Sequence, residues 1–89
     1  MTGKKWMERV ADVGCVICLE HLGVETPAQV HHVAEGSGKR SDFMTAGLCY
    51  EHHQGATGIH GLGTKAFCTL WNLANEYALL GLVNKWSKL

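Results

Sequence analysis

Two pairs of metal-binding residue types constrain this chain more than any other feature. The first pair is Cys15 and Cys18, and the second pair, farther along the chain, is Cys49 and His52. A spacing of two intervening residues lets one tight turn direct both side chains at a single ion, and zinc prefers a tetrahedron of such sulfur and nitrogen ligands. The pattern therefore predicts a structural zinc site built from both pairs. His53, which follows His52, is an alternative fourth ligand.

The size of the chain agrees with a fold that a metal stabilises. Its 89 residues provide material for one domain. Hydrophobic residues make up 46% and charged residues 18%, which indicates a globular rather than a disordered chain. Because the core of so small a domain contributes limited stability, a bound metal is a common supplement. We expect a single domain over residues 1–89.

Neither an export signal nor a membrane span is evident. The basic N-terminal segment, residues 1–6, is not followed by an apolar stretch. The longest apolar run, residues 77–83, is too short to cross a bilayer. Without export, cysteines stay reduced and available for metal rather than for disulfides. We therefore expect no membrane partner and a cytoplasmic location.

Apolar spacing and turn residues predict an α+β chain. The expected elements are a helix at residues 4–13, strands at 28–33 and 43–48, a short helix at 49–54, and two helices after residue 64. Residues 19–27 are expected to be an irregular connection. The four glycines from Gly55 to Gly63 predict a tight loop. Asn72 or Asn75 is expected to cap the last helix.

The histidines form a second cluster of metal-binding residue types. Five of the six lie between His31 and His60. In a strand, the adjacent side chains of His31 and His32 point to opposite faces, so one can bind a metal while the other faces a substrate. His53 and His60 then approach from the short helix and the glycine loop. An imidazole-bound ion beside a histidine that activates water is sufficient for phosphodiester hydrolysis.

Cations that could meet phosphates are few. Lys39 and Arg40 follow a Gly-Ser-Gly turn between the predicted strands, and Lys65 begins a predicted helix. Lys39 and Arg40 are equally compatible with a solvated turn, and an ordinary surface position is the favoured interpretation of Lys65. Since the formal net charge is zero with histidines neutral, only a local positive surface can favour nucleic acid.

Together these motifs resemble a zinc-containing HNH (ββα-metal) endonuclease. The resemblance lies in Val30-His31-His32-Val33, Leu48-Cys49-Tyr50-Glu51-His52-His53 and Gly58-Ile59-His60-Gly61, all after Cys15-Val16-Ile17-Cys18. Their order is most similar to the phage RecA-dependent nuclease (Ref-type) group. The similarity covers roughly residues 14–75.

The resemblance implies a small zinc-stabilised ββα-metal fold with flanking N-terminal and C-terminal helices, and metal-dependent hydrolysis of DNA rather than RNA. A recombinase partner and a host-cell location for a phage-encoded protein are further implications. Carried over by position, the structural zinc ligands are Cys15, Cys18, Cys49 and His52. The ligands of a catalytic magnesium, manganese, nickel or zinc ion are His31, His53 and His60. The resemblance assigns the role of general base to His32.

The sequence departs from the HNH pattern at one position. An asparagine that helps to orient the base usually lies a few residues before the Leu-Cys step, but residues 42–47 contain none. Thr45 or a backbone carbonyl is the expected substitute. The missing asparagine and the zero net charge favour an alternative function, a non-catalytic zinc module that binds nucleic acid or protein. One bound ion would favour the module, and two would favour the nuclease.

Overall fold

The structure, a computed structural model, describes residues 1–33 and 40–87. Within those residues the chain forms α1 (Gly3–Val13), a π-helical turn (Cys18–Leu22), β1 (Gln29–His32), β2 (Thr45–Leu48), α2 (Tyr50–His53), α3 (Ile59–Leu62), α4 (Thr64–Leu70) and α5 (Ala78–Trp86). The predicted α+β class is confirmed. β1, β2 and α2 form a ββα unit, and helices precede and follow it.

The two strands pair antiparallel in a register that separates the adjacent histidines. His31 lies opposite Ala46, and His32 lies opposite Thr45. His31 is buried and His32 is half-buried, as strand alternation predicts. All four residues of β2 are buried, so this strand lies inside the fold rather than at its surface.

Helix α1 is bounded by residues suited to its ends. The Thr2 hydroxyl accepts a hydrogen bond from the Lys5 amide at 3.1 Å, which satisfies one of the free amides of the first turn. Gly14 ends the helix with a φ of 92°, a conformation that favours glycine. A side chain at Gly47 would collide with the Gly14 carbonyl oxygen, so glycine at this position lets the end of α1 approach β2 closely.

The core lies between the sheet and the helices. Core residues come from α1, the segment between the first two cysteines, β2, α4 and α5, and these six are at most 2% exposed: Val10, Ile17, Leu48, Phe67, Leu79 and Val83. Because the first two cysteines flank Ile17, packing of this core also holds the metal-binding segment in place.

The connection after Cys18 is more regular than the sequence predicts. Residues 18–22 form the π-helical turn, and Gly23, with a φ of 68°, closes it by donating its amide to the Cys18 carbonyl. The expectation of an irregular segment from residue 19 is therefore wrong for its first part. A glycine at the left-handed position gives the turn a defined end.

The glycine loop also contains a helix. The expectation of a continuous loop is wrong for Ile59–Leu62, which form α3. Ile59 is 2% exposed, and its burial outweighs the low helix propensity of its glycine neighbours. A side chain at Gly61 would collide with the Gly55 carbonyl oxygen, so this glycine permits close packing rather than a break.

The start of the last helix differs from the prediction. Tyr77, not Asn72 or Asn75, occupies the cap position of α5. The Asn75 carbonyl accepts the Ala78 amide at 3.1 Å, and the Glu76 carbonyl accepts the Leu79 amide at 3.1 Å. These backbone bonds satisfy the first amides of α5, so no asparagine side chain is needed.

Within the described residues, the structure contains no helix whose length and apolar character would allow it to span a membrane.

Candidate metal centres

The two predicted pairs of ligands meet at one point. The Nδ1 atom of His52 lies 3.4 Å from the Cys15 sulfur, 3.5 Å from the Cys18 sulfur and 3.3 Å from the Cys49 sulfur. The sulfurs of Cys18 and Cys49 are 3.9 Å apart. The structure thus places His52, and not His53, with the three cysteines.

These distances fit a tetrahedral zinc ion. With zinc bonds of about 2.3 Å to sulfur and about 2.0 Å to nitrogen, two sulfurs lie about 3.8 Å apart and a sulfur and a nitrogen about 3.5 Å apart. The four ligand atoms, from Cys15, Cys18, Cys49 and His52, are buried and all lie within 4.8 Å of one another. The cluster could therefore hold a structural metal such as zinc. We refer to these four residues as the four-ligand site.

Burial favours the uncharged forms of two ligands in the four-ligand site. Burial raises the pKa of the Cys15 thiol to about 12 and lowers the pKa of His52. Without a cation these groups therefore stay uncharged in the interior. A metal ion must displace the thiol protons to bind, which links metal binding to folding and to pH.

Neighbouring groups hold the ligands in position. The Cys15 amide donates to the Thr26 carbonyl at 3.1 Å, which ties the cysteine turn to the segment before β1. The Trp71 ring meets the His52 ring edge to face, with centroids 5.1 Å apart. Since Trp71 follows α4, the packing of that helix restricts the orientation of the imidazole.

Three other histidines form a second cluster. His31 on β1, His53 on α2 and His60 on α3 each offer a nitrogen within 4.8 Å of the others, and we call these residues the three-histidine site. The centroid of the His31 ring lies 5.2 Å from the centroids of both His53 and His60. His31 and His53 are buried, whereas His60 is exposed. One side of the cluster is therefore open to solvent.

The contacts of His53 leave one nitrogen available for an ion. Its Nδ1 lies 2.8 Å from the Gln29 Oε1 atom, which also accepts from the side-chain Nε2 of Gln54 at 3.3 Å. His53 therefore donates through Nδ1, and its Nε2 carries the lone pair. That Nε2 is 3.1 Å from the Nε2 atom of His60. Imidazole nitrogens on one ion, at bonds of about 2.1 Å, lie about 3.0–3.4 Å apart.

Burial keeps the His53 imidazole neutral. Desolvation is the largest cause, and the neighbouring His31 and His60 add to it, so that the pKa of His53 falls to about 4. Burial also lowers the pKa of His31, although the Glu76 carboxylate opposes that change. Neutral imidazoles with free lone pairs are the form that binds divalent ions.

The carboxylate beside His31 was not predicted from the sequence. The Glu76 Oε2 atom lies 2.7 Å from His31 Nε2, and Glu76 is 5% exposed. The only sequence signal is its position as an acidic residue within the apolar pattern of the C-terminal region. Forty-five positions separate the two residues, so their contact depends on the tertiary fold.

His32 lies between a carboxylate and a guanidinium. Its Nε2 is 2.9 Å from Asp42 Oδ1, and its Nδ1 is 2.9 Å from a terminal nitrogen of Arg40. Because a guanidinium only donates, Nδ1 accepts, and the ring proton is on Nε2, directed at Asp42. A carboxylate thus orients the ring where the asparagine was expected. The Thr45 hydroxyl instead donates to the Asp42 carbonyl at 3.0 Å.

The three predicted phosphate-binding cations have different positions. Arg40 is exposed and contacts His32. Lys65 is exposed in the first turn of α4, and lines a shallow surface with Leu62 and Leu70. Lys39 and the Gly-Ser-Gly turn before it lie outside the described residues. Of the two described cations, Arg40 is the one that contacts a histidine.

Comparison with known proteins identifies one family. The model of a family described as recombination enhancement, RecA-dependent nuclease matches residues 2–73. No curated protein and no solved structure matches the chain.

Proposed function

Because the chain belongs to the family of recombination-enhancement, RecA-dependent nucleases, we propose that it is a metal-dependent HNH endonuclease that hydrolyses DNA phosphodiester bonds. The observation that carries this proposal is the open three-histidine site beside an oriented fourth histidine. His31 in the cluster and His32 outside it are neighbours on β1. A metal-binding group and a proton acceptor are thus supplied by adjacent residues.

The two clusters are suited to different tasks. The four-ligand site has a complete set of buried protein ligands, as structural zinc sites do. The three-histidine site has one ligand fewer and an exposed member, which leaves room for water and a phosphate oxygen. We assign the first to folding and the second to chemistry.

The chemistry divides between the ion and the protein. A divalent ion on His31, His53 and His60 would supply Lewis-acid stabilisation of the charge that develops on the phosphate and the leaving oxygen. His32 takes the proton of the attacking water at Nδ1, and Asp42 holds the ring and stabilises the imidazolium that results.

Arg40 links phosphate binding to activation of His32. Its guanidinium donates to the His32 nitrogen that must accept a proton, and its side chain is exposed. A phosphodiester that attracts the guanidinium frees that lone pair for water. Arg40 therefore contacts the phosphate, and we expect Lys39 and Lys65 to contribute further backbone contacts.

The charge of the chain is consistent with a partner. Much of the affinity of a protein for DNA comes from cations that neutralise phosphates, and the formal net charge here is zero. A recombinase that binds DNA would bring the substrate close to this protein. This agrees with the RecA dependence in the description of the family.

Cleavage of supercoiled plasmid and of recombinase-bound DNA tests this function. The zinc-loaded protein is incubated with magnesium, manganese, nickel or zinc, with and without a RecA-type recombinase filament. We expect metal-dependent nicking that the filament increases, and a second bound ion in equilibrium dialysis. A protein that binds one ion and cuts neither substrate would instead be the non-catalytic zinc module.

Substitutions of the two adjacent histidines on α2 should have different effects. His52→Ala removes a ligand of the four-ligand site, so we expect a large loss of thermal stability. His53→Ala removes a ligand of the three-histidine site, so the melting temperature should change little while cleavage is abolished. Thermal melts by circular dichroism and plasmid nicking measure the two effects. Reversed outcomes would mean that the two ligands are exchanged.

A further inference from the structure

A buried carboxylate from beyond the family-matched residues contacts the three-histidine site. The match to the family model ends at residue 73, whereas Glu76 lies 2.7 Å from His31 Nε2 and is 5% exposed. A carboxylate in the interior is costly unless hydrogen bonds compensate for its lost hydration. The short contact with His31 supplies a charge-assisted bond of this kind.

Backbone bonding and core packing hold Glu76 in its position. Its carbonyl accepts the Leu79 amide at 3.1 Å, which places Glu76 in the turn that begins α5. Leu79 is fully buried, and Val83, one turn later, is 2% exposed. Since both side chains anchor α5 in the core, the carboxylate is attached to a fixed element rather than to a loose chain end.

We propose that Glu76 is a positioning residue of the second metal site. Its carboxylate accepts the Nε2 proton of His31, which fixes the tautomer and leaves Nδ1 as the nitrogen that binds the ion. This inference rests on the proposed function, because it assumes that the three-histidine site binds the catalytic ion. It adds a residue from outside the family-matched region to that site.

A second histidine of the cluster has the same arrangement. His53 donates through Nδ1 to Gln29, which leaves its Nε2 for an ion. Metal-binding histidines usually donate their other ring nitrogen to a carboxylate or carbonyl oxygen, which orients the ring and makes it a stronger ligand. Each buried histidine of the site therefore donates one ring nitrogen to an oxygen acceptor.

Its position distinguishes Glu76 from a ligand. In the described residues, the set of mutually close ligand atoms contains the three histidines and does not include the Glu76 carboxylate. The carboxylate therefore acts through His31 rather than on the ion.

Metal affinity tests the inference independently of cleavage. The full chain, with zinc retained in the four-ligand site, is titrated with cobalt(II) against a competing chelator. We expect Glu76→Ala to weaken binding of the second ion about 10–100-fold, the usual effect of losing such a partner. Glu76→Gln keeps an oxygen that accepts the proton, so its affinity should lie closer to wild type than to Glu76→Ala. Glu8→Ala, at an exposed position on α1, is the matched control and should bind like wild type.

The tautomer of His31 provides a second readout. Nitrogen-15 NMR of the protein without the second ion should show the His31 proton on Nε2 in wild type and a mixture of tautomers in Glu76→Ala. Unchanged cobalt affinity in Glu76→Ala would overturn the inference and leave the proposed function intact. Equal losses of affinity for the second ion in Glu76→Gln and Glu76→Ala would also overturn it, because they would indicate that the carboxylate binds the ion directly. A wild-type protein that binds only one ion would overturn both proposals.

Discussion

Loss of the ion from the four-ligand site should unfold the protein. The apparent free energy of zinc binding to such sites is about 10–16 kcal/mol, which matches or exceeds the whole stability of a typical domain, about 5–15 kcal/mol. The metal-free site leaves three buried cysteines and His52 around a space that an ion should fill. Cys18→Ser, or treatment with a strong chelator, should therefore abolish the cooperative thermal transition and most of the helical circular dichroism.

Two controls separate this effect from other causes. Cys68→Ser makes the same chemical change in α4, at a buried cysteine outside the four-ligand site, and a serine there can bond to the backbone of its own helix. This variant should fold and lose only about 1 kcal/mol. Adding zinc back to the chelated protein should restore the transition. If the metal-free chain keeps its circular dichroism and melting temperature, the four-ligand site does not have a structural role.

The second large effect concerns the general base. His32→Ala should lower the rate of plasmid cleavage by about 100-fold or more, the usual contribution of a positioned base. The loss is expected because the His32 ring is oriented by Asp42 and has its accepting nitrogen beside Arg40. His32 is not a member of either metal cluster, so the variant should keep both ions and still bind DNA.

His31→Ala is the matched comparison, since it changes the neighbouring histidine on the opposite face of β1. It should lose the second ion, because it removes a ligand rather than a proton acceptor. Metal content, DNA binding and nicking are measured for both variants. The mechanism is wrong if His32→Ala cuts as fast as wild type, or if it loses the second ion as His31→Ala does.

The sequence alone determined the features that depend on neighbouring residues. The spacing of Cys15 with Cys18, and of Cys49 with His52, predicted the two halves of the four-ligand site, because a short turn imposes its own geometry. The alternation of His31 and His32 across β1 followed from strand geometry in the same way. The two strands, the N-terminal helix and the helices after residue 64 were predictable from apolar spacing and turn residues.

Only the tertiary structure decided which distant groups meet. Adjacent histidines on a short helix look alike in sequence, and the position of α2 relative to the cysteine turn selects His52 for the four-ligand site. Asp42 replaces the expected asparagine beside His32, and Glu76 reaches His31 from the start of α5. Packing of the core brings such partners together, whereas the periodicity and spacing of residues in the sequence record only local geometry.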